Sequence, residues 1–390
     1  MSLTFKYKAT HLGVFAHMLG LCLAVWCLAA CQNPDRPIKE RADHSQVLSG
    51  ISLNPGFKIS VYADELEQPK YLAVSPEGLV FVSQQNENGI LVLHDENADH
   101  FAEQSYPIGL SVKAPDVFTF HEKNLYVVVD RQIFVFRHIS DSFKDNPNPA
   151  IFMENLPIPP NSKIKRARFG PDNHLYLSIS SNCENCQSGD SIAATISRIR
   201  LPEKHFEIVH RGVRESWGMD WDPVYENLWF TDRGKYEGGK LYAADELNWA
   251  SDDGFHFGYP FCLGNNLPNE QMTPLPACGD YRPPIKSMGP YRAPAGMMFY
   301  AHTAFPPEFY GQLLICEAGN PQSHTHSPGR ISLVRLGKGA VVSYEPFAKF
   351  GMASNLNPGR PFDMASTPDG AILISDDISG LIYRIEYQPL

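Results

Sequence analysis

The sequence predicts an all-β chain folded as a six-bladed β-propeller. Long helical periodicity is scarce, whereas short runs of β-branched and aromatic residues, bounded by Gly, Pro, Asn and Asp, recur along the chain. Six of these runs form hairpins that resemble one another, and one extra strand precedes the first of them.

The hairpins are "LAVSPEGLVFVSQQ" from Leu72, "VFTFHEKNLYVVVD" from Val117, "ARFGPDNHLYLSIS" from Ala167, "MDWDPVYENLWFTD" from Met219, "MMFYAHTAFPPEFYGQLLICEA" from Met297 and "MASTPDGAILISDD" from Met364. Each reads as a strand, a turn built on Pro-Asp/Glu-Gly/Asn or a longer equivalent, and a second, more apolar strand. Pro and Gly in the turn supply the backbone angles that reverse the chain. The starts lie 45, 50, 52, 78 and 67 residues apart, and a four-stranded blade needs about 40 to 50. No single blade can bury both faces, but six stacked radially can. The two long intervals imply insertions, the first holding "GFHFGYPFCLGNNLPNEQMTPLPACGDYRPPIKSMGP". The early strand "FKISVYA" (Phe57–Ala63) is expected to complete the last blade and so hide two sheet edges.

Ahead of the repeats, Lys6 and Lys8 without an acidic residue, an apolar run from about Leu12 and a small-residue ending make residues 1–30 read as a secretory signal. The run is short for a permanent span of ~20 residues. Its ending, Leu28-Ala29-Ala30-Cys31, resembles the bacterial lipobox, whose cysteine is lipidated and becomes the mature N-terminus. That likeness, with Gln32 rather than Asp next, implies anchoring at the periplasmic face of the outer membrane. Residues 31–46 are polar and charged and read as a flexible tether, leaving residues 47–390 for the propeller. Losing Lys6 and Lys8 takes the formal net charge from −10 to −12. A surface this acidic excludes a nucleic-acid partner.

In an oxidising compartment the remaining cysteines become structural candidates. Cys262 and Cys278 flank a Pro- and Asn-rich loop and are expected to be bonded; Cys316, inside "LLIC", is expected to be a buried thiol. Cys183-Glu-Asn-Cys186 is compatible with half a zinc site, a redox pair or a tight loop disulfide, and the lack of a second pair at zinc-ribbon spacing favours the disulfide.

The order and spacing of "PGFKISVYADELEQPKYLAVSPEG", "GVRESWGMDWDPVYENLWFTDRG", "DELNWASDDGFHFGYPFCLG", "GPYRAPAGMMFYAHTAFPPEFYGQLLI" and "GRPFDMASTPDGAILISDDISGLIYRIEY" resemble the glucose/sorbosone dehydrogenase family over nearly all of residues 55–387. The resemblance implies a propeller that uses pyrroloquinoline quinone (PQQ) and calcium to oxidise sugars. It places the family's catalytic histidine at Ser162, followed by Lys163, and a serine hydroxyl is a poor proton acceptor unaided. It carries over Arg214 as a cofactor contact, with Glu215 where asparagine is usual, and Arg233 two residues before the second calcium carbonyl. Lys163, Lys165, Arg166 and Arg168 crowd the neighbouring blade, either as a solvated face or as partners for a tricarboxylate. The calcium carbonyls fall on Gly234 and Lys235, with Asp245-Glu246-Leu247-Asn248 retained downstream. The family's His-Gly-Ser-Trp-Asn-Arg segment has become "AGNPQS", keeping only the Gly319 backbone position, and His324 and His326 follow in a polar loop.

These substitutions leave two principal functional expectations. One is a lipid-anchored PQQ-dependent sugar dehydrogenase, divergent at its catalytic base, acting on a small sugar. The other is a non-catalytic propeller serving as a binding module at the outer membrane. A calcium lactonase would need several carboxylates converging on the channel, a set the sequence does not reveal.

Overall fold

The computed structural model describes residues 41–85, 89–109, 115, 117–183, 191–234, 236–237, 240–241, 243–319, 328–351 and 359–389. Residues 43–390 form one compact unit. Six antiparallel sheets of at least four strands follow in chain order, with minor two-strand ribbons in the insertions. The six-bladed propeller expected from the repeats is therefore the observed fold.

The first blade runs Leu72–Val74, Val80–Ser83, Ile90–His94 and Gln104–Ile108, and the second Val117–His121, Asn124–Val129, Gln132–Phe136 and Ala150–Met153. The third holds Ile164–Phe169, Leu175–Ile179, Thr195–Arg200 and His205–Arg211. The fourth holds Met219–Trp221, Leu228–Asp232, Asp245–Ala250 and Lys286–Gly289, so the insertion sits between its third and fourth strands. The fifth holds Pro294–Phe299, Leu313–Glu317, Arg330–Gly337 and Ala340–Lys349, extended at its outer edge by Ser52–Leu53. The sixth holds Pro361–Ser366, Ile372–Asp376 and Leu381–Tyr387.

Phe57–Ala63 supplies the sixth blade's outer strand, with Phe57 opposite Tyr387 and Ile59 opposite Ile385. N- and C-terminal segments thus close the ring within one sheet, which removes an edge that would otherwise be open. Phe57 also stands edge-on to Phe305, Phe309, Phe347 and Tyr387 at 4.8 to 5.1 Å, joining the fifth blade to the sixth. Upstream of Phe57 a short helix, Ser45–Ser49, lays Val47 and Leu48 against the core, and His44 bonds Asp64 at 3.0 Å.

The first strand of each blade touches the first strand of the next, and the last of them returns to Leu72–Val74. These six innermost strands are the first strands of the six repeats, so the repeat period positions the channel wall.

Candidate active site at the channel mouth

Numbering each blade from its repeat start exposes a layer that the hairpin comparison passes over. Two residues before the starts stand Lys70, Pro115, Lys165, Trp217, Ala295 and Phe362. Four of them, Lys70, Pro115, Lys165 and Trp217, line one cavity of about 300 Å³ together with Tyr71, Gln84 and Lys163. The cavity therefore lies where the innermost strands begin, at one mouth of the channel. Its floor is aromatic: Phe362 is buried, with Tyr71 edge-on at 5.5 Å, Trp217 edge-on at 5.4 Å and the Lys70 ammonium 5.7 Å from its ring centre.

A second cavity of about 260 Å³ shares Lys163 and Lys165 and adds Asn161, Ser180, Arg214 and Glu215. Across the two, the charged lining among the described residues is Lys70, Lys163, Lys165 and Arg214 against Glu215. Lys165 lies 2.9 Å from Glu215 and 4.4 Å above the Trp217 ring, and the Arg233 guanidinium covers the same ring at 4.5 Å. The indole Nε1 of Trp217 is buried, with no hydrogen-bond partner among the described residues.

Burial pushes the Glu215 carboxyl up, but Lys165, Arg233 and Arg214 outweigh it and hold the group below its usual range. Lys70 shifts down: half-burial disfavours its charge, Arg360, Lys165 and Arg233 add to that, and Asp377 opposes it.

One buried carboxylate sets the backbone that carries Arg214 and Glu215. Both oxygens of Asp232 accept from it, one from the Arg214 amide at 2.7 Å and the other from the Glu215 amide at 2.6 Å. Opposite, the Gly234 amide donates to Asp245 at 2.7 Å. A Cβ on Gly234 would stand 2.1 Å from the Ala243 carbonyl, so only glycine allows this approach. The Arg214 guanidinium closes the arrangement by donating to the Gly234 carbonyl at 3.1 Å and to that of Arg233 at 3.4 Å. Asp232 and Glu246 face each other across the blade, and burial, first of all, raises both carboxyls.

Residues 159–320 match the family model "Glucose / Sorbosone dehydrogenase", a stretch running from the third blade into the fifth. The match covers less than half of the chain, and that stretch is similar to the family. An uncharacterized protein of Borreliella burgdorferi is 25% identical over 360 residues, 88% of this chain and 93% of that protein. The calcium structure of a Trichoderma reesei enzyme of carbohydrate-active family AA12 superposes with a TM-score of 0.73 at 13% identity, covering 87% of this chain and 97% of that one. The PQQ-bound aldose sugar dehydrogenase of Streptomyces coelicolor superposes with a TM-score of 0.61 at 17% identity, covering 86% and 99%. Both structures share the fold.

Against the glucose/sorbosone dehydrogenase pattern, the carried-over residues fall in three places. Lys163, Arg214 and Glu215 line the mouth. Arg233 is partly buried beside it, bonded to the carbonyls of Pro294 at 2.9 Å and Ala293 at 3.4 Å. Arg166 lies deeper, in a buried ion pair with Asp363 at 2.7 Å, and Arg168 pairs with Asp220 at 3.3 Å; all but Asp363 line a separate chamber of about 200 Å³ inside the bore. Ser162 is buried with its hydroxyl unpartnered, and it is not among the described residues lining either mouth cavity, although Asn161 and Lys163 are. Lys163, the neighbour of the residue aligned with the family histidine, lines both cavities.

Cys262 and Cys278 are bonded, with Cα atoms 5.9 Å apart. Cys183 is disulfide-bonded, and Cys186 lies outside the described residues, as do Cys31, Lys235, His324 and His326. Cys316 is a buried free thiol. The insertion is tied to the third blade by Tyr259, whose hydroxyl donates to the Cys183 carbonyl at 2.6 Å.

Proposed function

We propose that this chain is a periplasmic, lipid-anchored, PQQ-dependent sugar dehydrogenase with a rebuilt set of proton-handling residues. One observation carries the reading: two adjoining cavities at the channel mouth share Lys163 and Lys165 and are lined by four basic side chains, one carboxylate and the Trp217 ring.

A planar tricarboxylate suits such a lining. Ammonium and guanidinium groups recognise carboxylates through charge-assisted hydrogen bonds, and the indole supplies a flat apolar surface. Lys163, Lys165 and Arg214 would hold the carboxylates. When bound, PQQ supplies the two-electron acceptor for the sugar's hydride. Proton removal from the sugar hydroxyl falls to an amine. Lys70 suits that role because burial and neighbouring cations lower its pKa, which increases the neutral fraction able to accept a proton. The aromatic floor of Tyr71 and Phe362 keeps bulk water from the base of the cavity.

The second expectation, a binding module, is favoured by Ser162, which offers no histidine. Titration of purified apoprotein with PQQ, following quinone absorbance and dye reduction with a panel of aldoses, separates the two. Quinone binding with sugar-dependent dye reduction supports the dehydrogenase. No binding at high micromolar PQQ, with and without calcium, leaves the module. Anchoring is tested separately: Cys31→Ala should move the protein to the soluble periplasmic fraction, and a variant that stays membrane-bound would reject the lipid.

A further inference from the structure

We propose that the chamber inside the bore is a binding site for a small monocarboxylate, entered from the face opposite the mouth. The site is independent of the quinone reading, because the chamber and the two mouth cavities have no described lining residue in common.

The boundary between them falls between successive residues. Tyr71 and Lys165 line the mouth, whereas Leu72 and Arg166 line the chamber. Two links cross the bore at this level. The Tyr71 hydroxyl donates to the Lys165 carbonyl at 3.0 Å, and Arg166 of the third blade reaches Asp363 of the sixth, the opposite blade in the ring. Beyond these links exposure rises along the strand: the Arg166 side chain is 7% exposed, that of Arg168 30% and that of its partner Asp220 13%. The chamber therefore opens away from the mouth.

Its lining leans toward positive charge. Arg166 and Arg168 stand two apart on the strand Ile164–Phe169, so both side chains leave the same face. Thr119 and Ser366 add hydroxyl groups, and Asp220 is the one carboxylate among the described lining residues. A guanidinium carries five N–H donors. Among the described residues, however, Arg166 meets one carboxylate, Asp363 at 2.7 Å, and Arg168 meets one, Asp220 at 3.3 Å. Both carboxylates are also engaged elsewhere, Asp363 by the Leu72 amide at 3.1 Å and Asp220 by the Phe299 amide at 2.7 Å. Two neighbouring guanidiniums thus keep donor capacity beside a void of about 200 Å³.

A carboxylate suits that lining because its two oxygens match the planar donor fork and its charge relieves the repulsion between like charges in a poorly solvated space. The void is smaller than the roughly 300–1,000 Å³ of pockets that take drug-sized ligands, which limits the occupant to a short acid.

The experiment is a calorimetric titration of the full-length chain with sodium acetate, at an ionic strength held constant with sodium chloride, for wild type, Arg168→Gln, Asp220→Asn and the mouth variant Lys163→Met. Wild type is expected to show one saturable site. Arg168→Gln is expected to bind about ten- to a hundredfold more weakly, the equivalent of one charge-assisted hydrogen bond. Asp220→Asn removes the carboxylate that competes for Arg168 and is expected to bind up to about tenfold more tightly, while Lys163→Met keeps the wild-type affinity. No saturable binding by wild type, or wild-type affinity in both chamber variants, would overturn the proposal. Binding lost in Lys163→Met alone would put the acetate at the mouth and reject the chamber as its site. Asp220→Asn keeps the test decisive if Arg168→Gln fails to fold.

Discussion

The ammonium of Lys165 lies 2.9 Å from Glu215 and 4.4 Å from the centre of the Trp217 ring. From the sequence alone Glu215 is an unwelcome negative charge beside an anionic ligand. In the structure it is also the counter-ion for Lys165, Arg214 and Arg233, which explains why its carboxyl stays ionised despite burial. Glu215→Asn should therefore act in two directions. Three cations lose a shared partner, at a cost of about 1–2 kcal/mol for a partly exposed pair, so the melting temperature falls. Lys165 is released toward the cavity, so PQQ binding tightens up to about tenfold. Equal or weaker PQQ affinity in the variant would contradict this account.

The architecture was legible because six hairpins repeat, and each repeat start proved to be an innermost strand. The strand Phe57–Ala63 was also assigned to the last blade from its position ahead of the first repeat. The site was legible only in part. Arg214, Glu215 and Lys163 come from the family pattern, whereas Lys70, Tyr71, Trp217 and Phe362 were missed. Their signal was present: all four stand one or two residues before a repeat start, and aligning starts rather than hairpins would have gathered them. Ser162 takes the place that the family likeness gives to a histidine, and that its neighbours Asn161 and Lys163 line the cavity is visible only in the structure.

Lys70 predicts a pH profile. Burial and nearby cations hold its amine below the ordinary 10.5, so the neutral form grows with rising pH earlier than in a free lysine. Sugar-dependent dye reduction should climb with pH through that lowered value, and Lys70→Met should flatten the climb and reduce kcat by roughly 10²- to 10⁴-fold. The same shift makes folding stability rise with pH between the lowered value and 10.5, because in that window the unfolded chain binds more protons. A Lys70→Met enzyme with unchanged kcat and slope would remove the lysine from the chemistry.

Arg166 and Asp363 predict a structural cost. Asp363 is fully buried, pairs with Arg166 at 2.7 Å and accepts the Leu72 amide at 3.1 Å, joining the third, sixth and first blades inside the bore. Gly296 leaves space for it, since a Cβ there would stand 2.0 Å from its Oδ1. Asp363→Ala strands a buried guanidinium and should cost about 3–5 kcal/mol, whereas Arg166→Met with Asp363→Leu should cost clearly less. Urea midpoints for the two variants measure the difference, and equal losses would argue against a stranded charge.

His210 predicts an acid-side loss of stability that is independent of the mouth. It lies in the third blade's outer strand, His205–Arg211, with Phe257 edge-on at 5.6 Å and Phe255 parallel at 6.0 Å, and its Nδ1 has no hydrogen-bond partner. Burial, first of all, lowers its pKa to about 4; Arg198 and Arg282 push the same way and Asp253 opposes them. The unfolded chain carries a histidine near 6.5. Between those two values the unfolded state takes up a proton that the native state refuses, so stability falls as pH drops through 6.5 and the loss is complete near the folded value. The full difference amounts to about 3 kcal/mol by linkage. His210→Phe keeps a flat ring among the phenylalanines and removes the titration. Its urea midpoint should change less than that of wild type between neutral pH and pH 4, and parallel pH dependences for the two proteins would show that His210 is not the group responsible.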